Sequence, residues 1–122
     1  MKPTTSGSLV AFALLALSTS SAFAVHTCDT MPTKTQVKNC WMGMVSNAME
    51  LSEDYDVAVM ASPKVPEKVK QKVDTEYRSI PQIVKQRCKE TDYNCRIQQY
   101  ENFNDFAYKE TSKYGVPDKR LN

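Results

Sequence analysis

The chain is poor in the residue types on which many catalytic and phosphate-binding sites depend. It has three glycines and a single histidine, His26, in 122 residues. It contains no glycine-rich phosphate loop, no Gly-x-Ser-x-Gly turn and no His-Glu-x-x-His helix. A mechanism that needs a histidine would have to use His26 alone. We therefore predict that the protein is not an enzyme and that it needs no cofactor.

Long apolar runs are also scarce, and the most apolar segment lies close to the N-terminus. It covers residues 9–17, follows a basic residue and is succeeded by small residues that end at Ala24. This order is typical of a secretory signal peptide, which we place at residues 1–24. The run is shorter than the roughly 20 apolar residues that a membrane-spanning helix needs. We expect a soluble periplasmic or secreted product with no membrane insertion.

Four cysteines follow the predicted signal peptide: Cys28, Cys40, Cys88 and Cys95. An even number of cysteines in a short exported chain is typical of a disulfide framework. Their spacings, C-x11-C and C-x6-C, are not those of usual zinc sites, so we expect two disulfides and no metal. Three pairings are open from the sequence alone, and we favour the two that close short loops, Cys28 with Cys40 and Cys88 with Cys95.

Apolar residues recur at alternating spacings of three and four, which indicates helices in place of strands. The predicted inward face of the first helix is Val37, Trp41, Met44, Ala48, Leu51, Tyr55 and Ala58. The second helix contributes Val69, Val73, Tyr77, Ile80 and Val84, and the third contributes Tyr93, Ile97, Tyr100, Phe103 or Asn104, Ala107 and Tyr114. The fold class is therefore all-α, a small up-down bundle of three to four helices stapled by two disulfides over residues 25–117, with a flexible tail over 118–122.

Prolines and a late glycine set the helix boundaries. Pro63 and Pro66 predict a tight turn between the first and second helices. Pro81 lies inside the second helical segment, where a proline removes a backbone hydrogen bond, so we expect a kink or two shorter helices. Gly115 followed by Pro117 predicts the end of the third helix.

The order of cysteines, turns and helices resembles the LprI-type lysozyme-inhibitor family. The matching features are Cys28, a threonine-rich turn, Cys40 at a helix start, Leu51, Tyr55, and Cys88-x6-Cys95 followed by Tyr100. Members commonly carry an aromatic residue and an arginine shortly before the third cysteine, whereas Tyr77-Arg78 here stands ten residues before Cys88. The resemblance spans nearly all of residues 28–114. It implies an exported helical bundle and inhibition of lysozyme.

Acidic residues cluster near the end of the first helix, beside the proline turn. A solvated helix face is the simplest interpretation of such a cluster. Paired carboxylates could also serve general acid/base chemistry, and acidic groups could enter the cleft of a cationic enzyme. The predicted partner-binding residues, on the last interpretation, are Glu50, Glu53, Asp54, Asp56, Pro63 and Pro66.

Two further groups of residues allow more than one interpretation. Thioether sulfur suits Cu(I), and His26 is accompanied by five methionines, Met31, Met42, Met44, Met49 and Met60. Methionine is equally a common filler of small cores. Phe106 and Tyr108 could form an exposed aromatic anchor, although we expect core packing.

Taken together, these patterns predict a protein-binding domain whose partner is a lysozyme or another peptidoglycan hydrolase. The nearly balanced charge, 16 basic against 14 acidic residues, gives no indication of a nucleic-acid partner. The alternatives are an immunity protein against a delivered periplasmic toxin, a copper-binding protein and a structural envelope component. The sequence does not determine the oligomeric state.

Overall fold

A computed structural model describes residues 28–116, so the predicted signal peptide, His26 and the C-terminal tail lie outside the described residues. The described chain forms three α-helices, α1 (Lys34–Ala61), α2 (Glu67–Arg87) and α3 (Tyr93–Thr111), followed by a short 3-10 helix, Ser112–Tyr114. No strand occurs within residues 28–116, and the predicted all-α class is confirmed. The chain divides into two compact units, one that extends through Trp41 and one that begins at Met42. None of the helices in the described segment is long and apolar enough to cross a membrane.

Side chains and one proline set the start of each helix. Ahead of α1, the backbone N–H of Gln36 donates to Oγ1 of Thr33, and the backbone N–H of Thr33 donates back to Gln36 Oε1, at 3.1 and 3.2 Å. This reciprocal pair is a capping box. Pro66 precedes α2 in an extended conformation, and the carboxylate of Asp92 accepts a hydrogen bond from the backbone N–H of Cys95 at the start of α3. Each start therefore has a local cause in the sequence.

The helix α2 continues through Pro81 from Glu67 to Arg87. Of the two alternatives predicted at Pro81, a kink or two shorter helices, the second is therefore wrong. Pro81 has no N–H to donate to the Tyr77 carbonyl, but one lost hydrogen bond does not end a helix whose neighbouring turns are packed against the core. At the other end of the chain, Gly115 has φ 70°, the left-handed conformation that ends the helical segment as predicted.

A disulfide and a tryptophan hydrogen bond connect the two parts of the first unit, the segment ahead of α1 and the start of α1. Cys28 and Cys40 are bonded across 12 positions, with Cα atoms 5.4 Å apart. The Trp41 indole N–H donates to Asp29 Oδ1 at 2.9 Å, and the Trp41 side chain is buried. The disulfide and this hydrogen bond fix the segment ahead of α1 to the first turns of the helix.

The second unit contains the hydrophobic core. The core residues are Tyr55, Val59, Val65, Val73, Ile80, Tyr100, Phe103 and Ala107. The inward face predicted for α2 is confirmed, and that of α3 is confirmed at its C-terminal part, whereas Tyr93 and Ile97 are half-buried outside the core. The Tyr77 and Phe103 rings contact each other with centroids 5.5 Å apart. Phe106 and Tyr108 are half-buried and pack against this core, which confirms the core interpretation for both. The second predicted disulfide, Cys88 with Cys95, is also formed.

The buried face of α1 is only partly displaced from the predicted one, because Trp41 and Tyr55 are buried as predicted. Three predicted core residues are only half-buried, and the residue after each is buried instead: Val45 after Met44, Ser52 after Leu51, and Val59 after Ala58. Because burial moves on by one residue at these three positions and stays in place at Trp41 and Tyr55, the face turns by less than the roughly 100° between consecutive helix positions. The shift brings Ser52 into the core, where its hydroxyl donates to Asn104 Oδ1 at 3.0 Å.

We expect removal of the second disulfide to cost a moderate amount of stability. The Cys88–Cys95 bond closes a loop with a sequence separation of 7, and a cross-link of that length restricts the unfolded chain by about 2 to 3 kcal/mol. The double substitution Cys88→Ala/Cys95→Ala should lower the free energy of unfolding in urea by that amount. An unchanged midpoint and slope would contradict this account.

The buried hydrogen bond between Ser52 and Asn104 should be detectable by mutation. Ser52→Ala leaves the Asn104 side chain buried without its donor, which should cost roughly 1 to 3 kcal/mol in urea unfolding. Ser52→Ala/Asn104→Leu removes both polar groups and should recover part of that loss. Ser46→Ala, on the exposed face of the same helix, is the matched control and should change stability by less than about 0.5 kcal/mol. Equal losses at Ser46 and Ser52 would contradict the assignment.

Candidate functional site

An open groove of about 530 Å³ lies between α1 and α3 in the second unit. Four apolar residues are part of its lining: Met44, Ala48, Leu51 and Ile97. Two asparagines, Asn47 and Asn104, and three carboxylates, Glu50, Asp54 and Glu101, complete it. We call this the α1/α3 groove. Met44 and Leu51 are residues of the predicted α1 face that the partial rotation leaves half-buried.

The charge around the α1/α3 groove has one sign. Glu50 and Asp54 are four residues apart on α1 and therefore share a face, while Glu101 stands on α3. No lysine or arginine is among the described residues that line the groove. The sequence between Asn39 and Ser62 likewise contains four acidic residues and no basic one. The groove therefore has a negative potential that attracts cationic groups.

The structure separates the acidic residues that the sequence analysis treated as one cluster. Glu53 lines a different groove, of about 410 Å³, together with Met49, Tyr77, Arg78, Ile80, Pro81 and Tyr100. We call this the α1/α2 groove. Glu53 and Asp54 line different grooves because consecutive residues on a helix point about 100° apart. Pro63 and Pro66 are exposed in the turn before α2 and line neither groove.

Asp56, predicted to lie on the partner-binding surface, is instead buried. Its side chain is buried, 8% exposed, and its Oδ1 atom has no hydrogen-bond partner among the described residues. Burial, and next a hydrogen bond with Asp74 on α2, raise the pKa of Asp56 from 3.8 to about 6. The sequence contained no signal for this position, because Asp56 stands among acidic residues that are exposed.

Asp74 is the acceptor in this carboxyl pair. Arg78 Nε donates to Asp74 Oδ2 at 2.7 Å, and this hydrogen bond is the main cause that lowers the pKa of Asp74. A carboxyl whose pKa is raised beside one whose pKa is lowered is the arrangement expected when the protonated Asp56 donates to the Asp74 carboxylate. Neither carboxyl lines the α1/α3 or the α1/α2 groove. The direct physical effect of the pair is therefore on stability.

The residues of the copper hypothesis have different surroundings in the structure. Within residues 28–116, no group of three or more histidine, cysteine, aspartate or glutamate side chains could hold a metal ion. Met42, Met49 and Met60 are exposed on α1, whereas Met44 lines the α1/α3 groove. His26, the imidazole in the copper hypothesis, lies outside the described residues.

No family model, no curated protein and no solved structure matches the chain. The resemblance to LprI-type inhibitors therefore depends on the cysteine and helix pattern described above. The charge and shape of the α1/α3 groove are a separate observation, which depends on the fold alone.

The carboxyl pair predicts an unusual pH dependence of stability. Because the pKa of Asp56 is higher in the folded protein than in the unfolded chain, the folded state binds the proton more tightly. The free energy of unfolding should therefore fall, by on the order of 2 kcal/mol, as the pH rises from about 4 to about 6. The lowered pKa of Asp74 acts in the opposite direction, since protonation of Asp74 removes stability as the pH falls below about 4.

Asp56→Asn tests this effect, because the introduced amide can donate to Asp74 at every pH. We expect the variant to be more stable than the native protein at pH 7 and to lose the decline between pH 4 and pH 6. Urea unfolding across that pH range measures both. Asp54→Asn removes an exposed carboxylate from the neighbouring position and should keep the decline. The same decline in Asp56→Asn as in the native protein would rule out Asp56 as its source.

Proposed function

We propose that the protein is an exported, periplasmic protein-binding domain that inhibits a lysozyme or a related peptidoglycan hydrolase by occupying its cleft, without turnover of its own. The α1/α3 groove is the observation that supports the proposal most, because apolar side chains line it together with three carboxylates and no basic residue. The resemblance to LprI-type inhibitors suggests the class of partner. The groove suggests how a cationic partner is recognised.

A lysine or arginine side chain of the partner fits the chemistry of the groove. Its aliphatic stem can pack against Leu51 and Ile97, while its charged head pairs with Glu50, Asp54 or Glu101. Charge complementarity of this kind raises the association rate and the specificity more than the affinity. The proposal therefore predicts an association rate that depends strongly on salt concentration.

The disulfides support export. Disulfides persist in oxidising compartments such as the periplasm and are rare in the cytosol. The chain forms two, Cys28–Cys40 and Cys88–Cys95, and no described cysteine remains free. The apolar segment at residues 9–17 provides the matching export signal in the sequence.

Inhibition assays with several lysozymes test the proposal directly. We expect the oxidised protein to inhibit at least one of them, and Glu50→Lys/Asp54→Lys to slow association roughly tenfold or more because positive charge replaces negative at the groove. The measurements are the inhibition constant and the association rate at low and high salt. The difference between the variant and the native protein should shrink as salt screens the charges.

Glu53→Lys is the matched control, since it makes the same charge change on the same helix but in the α1/α2 groove. It should leave inhibition close to native. Equal losses at Glu53 and at the Glu50/Asp54 pair would contradict a role for the α1/α3 groove. No inhibition of any lysozyme by the native protein would refute the inhibitor proposal and favour the immunity hypothesis, for which the partner would be a delivered toxin.

A further inference from the structure

The large apolar side chains that the described chain leaves exposed all lie on α1. They are Met42, Met49, Val57 and Met60, with exposed fractions of 43, 47, 58 and 39%. Met42, Met49 and Met60 are 7 and 11 residues apart, close to two and three helical turns, so they follow one line along the helix.

Met49 joins this line to the α1/α2 groove. There it stands with Tyr77, Ile80 and Pro81 of α2 and with Tyr100 of α3. The exposed ring of Pro81 adds apolar surface to α2 and has no N–H that would need a partner. The groove and the adjoining methionine thus form a concave apolar surface with a projecting side chain beside it.

The two sides of the α1/α2 groove carry opposite charges. Glu53 stands on α1, and Arg78 stands on α2, where its hydrogen bond to Asp74 holds the guanidinium in place. A partner surface that is entirely positive would be repelled by Arg78, and one that is entirely negative would be repelled by Glu53. A second copy of the chain, related by a two-fold axis, would instead present Arg78 to Glu53 and Glu53 to Arg78.

We propose that the protein forms a symmetric dimer through the α1/α2 groove. Met49 of each copy packs against the groove of the other, and Glu53 of each copy pairs with Arg78 of the second copy. The formal net charge of the whole chain is only +2 at pH 7, so long-range repulsion between copies is weak. Glu50 and Asp54 line the other groove and stay free, which makes the dimer bivalent towards the partner.

Sedimentation equilibrium of the oxidised protein over a wide concentration range measures the dimer. In the Glu53→Lys variant, the introduced lysine of each copy faces Arg78 of the other, so like positive charges meet. In Arg78→Glu, the introduced glutamate of each copy faces Glu53 of the other, so like negative charges meet. We expect each single substitution to raise the dissociation constant of the dimer roughly tenfold or more. Glu53→Lys/Arg78→Glu restores opposite charges and should recover most of the native dissociation constant.

Two further variants separate the dimer interface from the fold. Glu50→Lys makes the same charge change as Glu53→Lys but in the α1/α3 groove, and it should leave the dimer intact. Met49→Glu replaces an exposed side chain, so it should abolish the dimer while the thermal unfolding midpoint stays close to native. Because Arg78→Glu also breaks the hydrogen bond to Asp74, its unfolding midpoint is measured alongside.

Three results would overturn the dimer. They are a native protein that is monomeric at every concentration, a double charge variant no better than either single one, and Glu50→Lys as damaging as Glu53→Lys. The lysozyme assay is independent of these results, because the Glu50/Asp54 substitutions test the other groove.

Discussion

The hydrogen bond between Ser52 and Asn104 determines how α1 is turned in the second unit. A hydroxyl and a side-chain amide buried between helices must bond to each other or lose stability. Ser52 is fully buried and Asn104 nearly so, and their contact at 3.0 Å holds α1 in a partly rotated orientation, with Ser52 in the core where the apolar periodicity favours Leu51. Both grooves follow from this rotation. It leaves Met44 and Leu51 half-buried beside α3, where they line the α1/α3 groove, and it leaves Met49 exposed beside α2.

Much of the fold could be predicted from the sequence because several independent signals agree. The three helices, the turn at the prolines, the end at Gly115 and both disulfide pairs follow from spacing and residue type. The inward faces of α2 and α3 were predictable because their core positions are mostly apolar. The face of α1 was not, since Ser52 looks like a surface residue until its partner 52 positions further along the chain is known. The choice at Pro81 between a kink and a break was open for a similar reason, because packing against the core decides whether a helix survives one lost hydrogen bond.

The acidic residues of α1 were visible in the sequence, but their division among three environments was not. Glu50 and Asp54 line one groove, Glu53 lines the other, and Asp56 is buried against Asp74. Helical geometry alone separates Glu53 from Asp54. The burial of Asp56, however, depends on where α2 packs, which no local pattern records. A cluster of acidic residues in the sequence therefore predicts a negatively charged helix segment. Only the fold shows which of these carboxylates can contact a partner.

The small core explains why one helix can carry two surfaces. A domain of this length buries a modest core, and among residues 28–116 eight residues form it while two disulfides add cross-links. With so few positions committed to the interior, α1 keeps more than half of its circumference free. One exposed sector carries Glu50 and Asp54, and another carries Met49 and Glu53. Since both sectors belong to one rigid helix, the rotation imposed by Ser52 moves them together, and any change in that buried contact would alter both grooves at once.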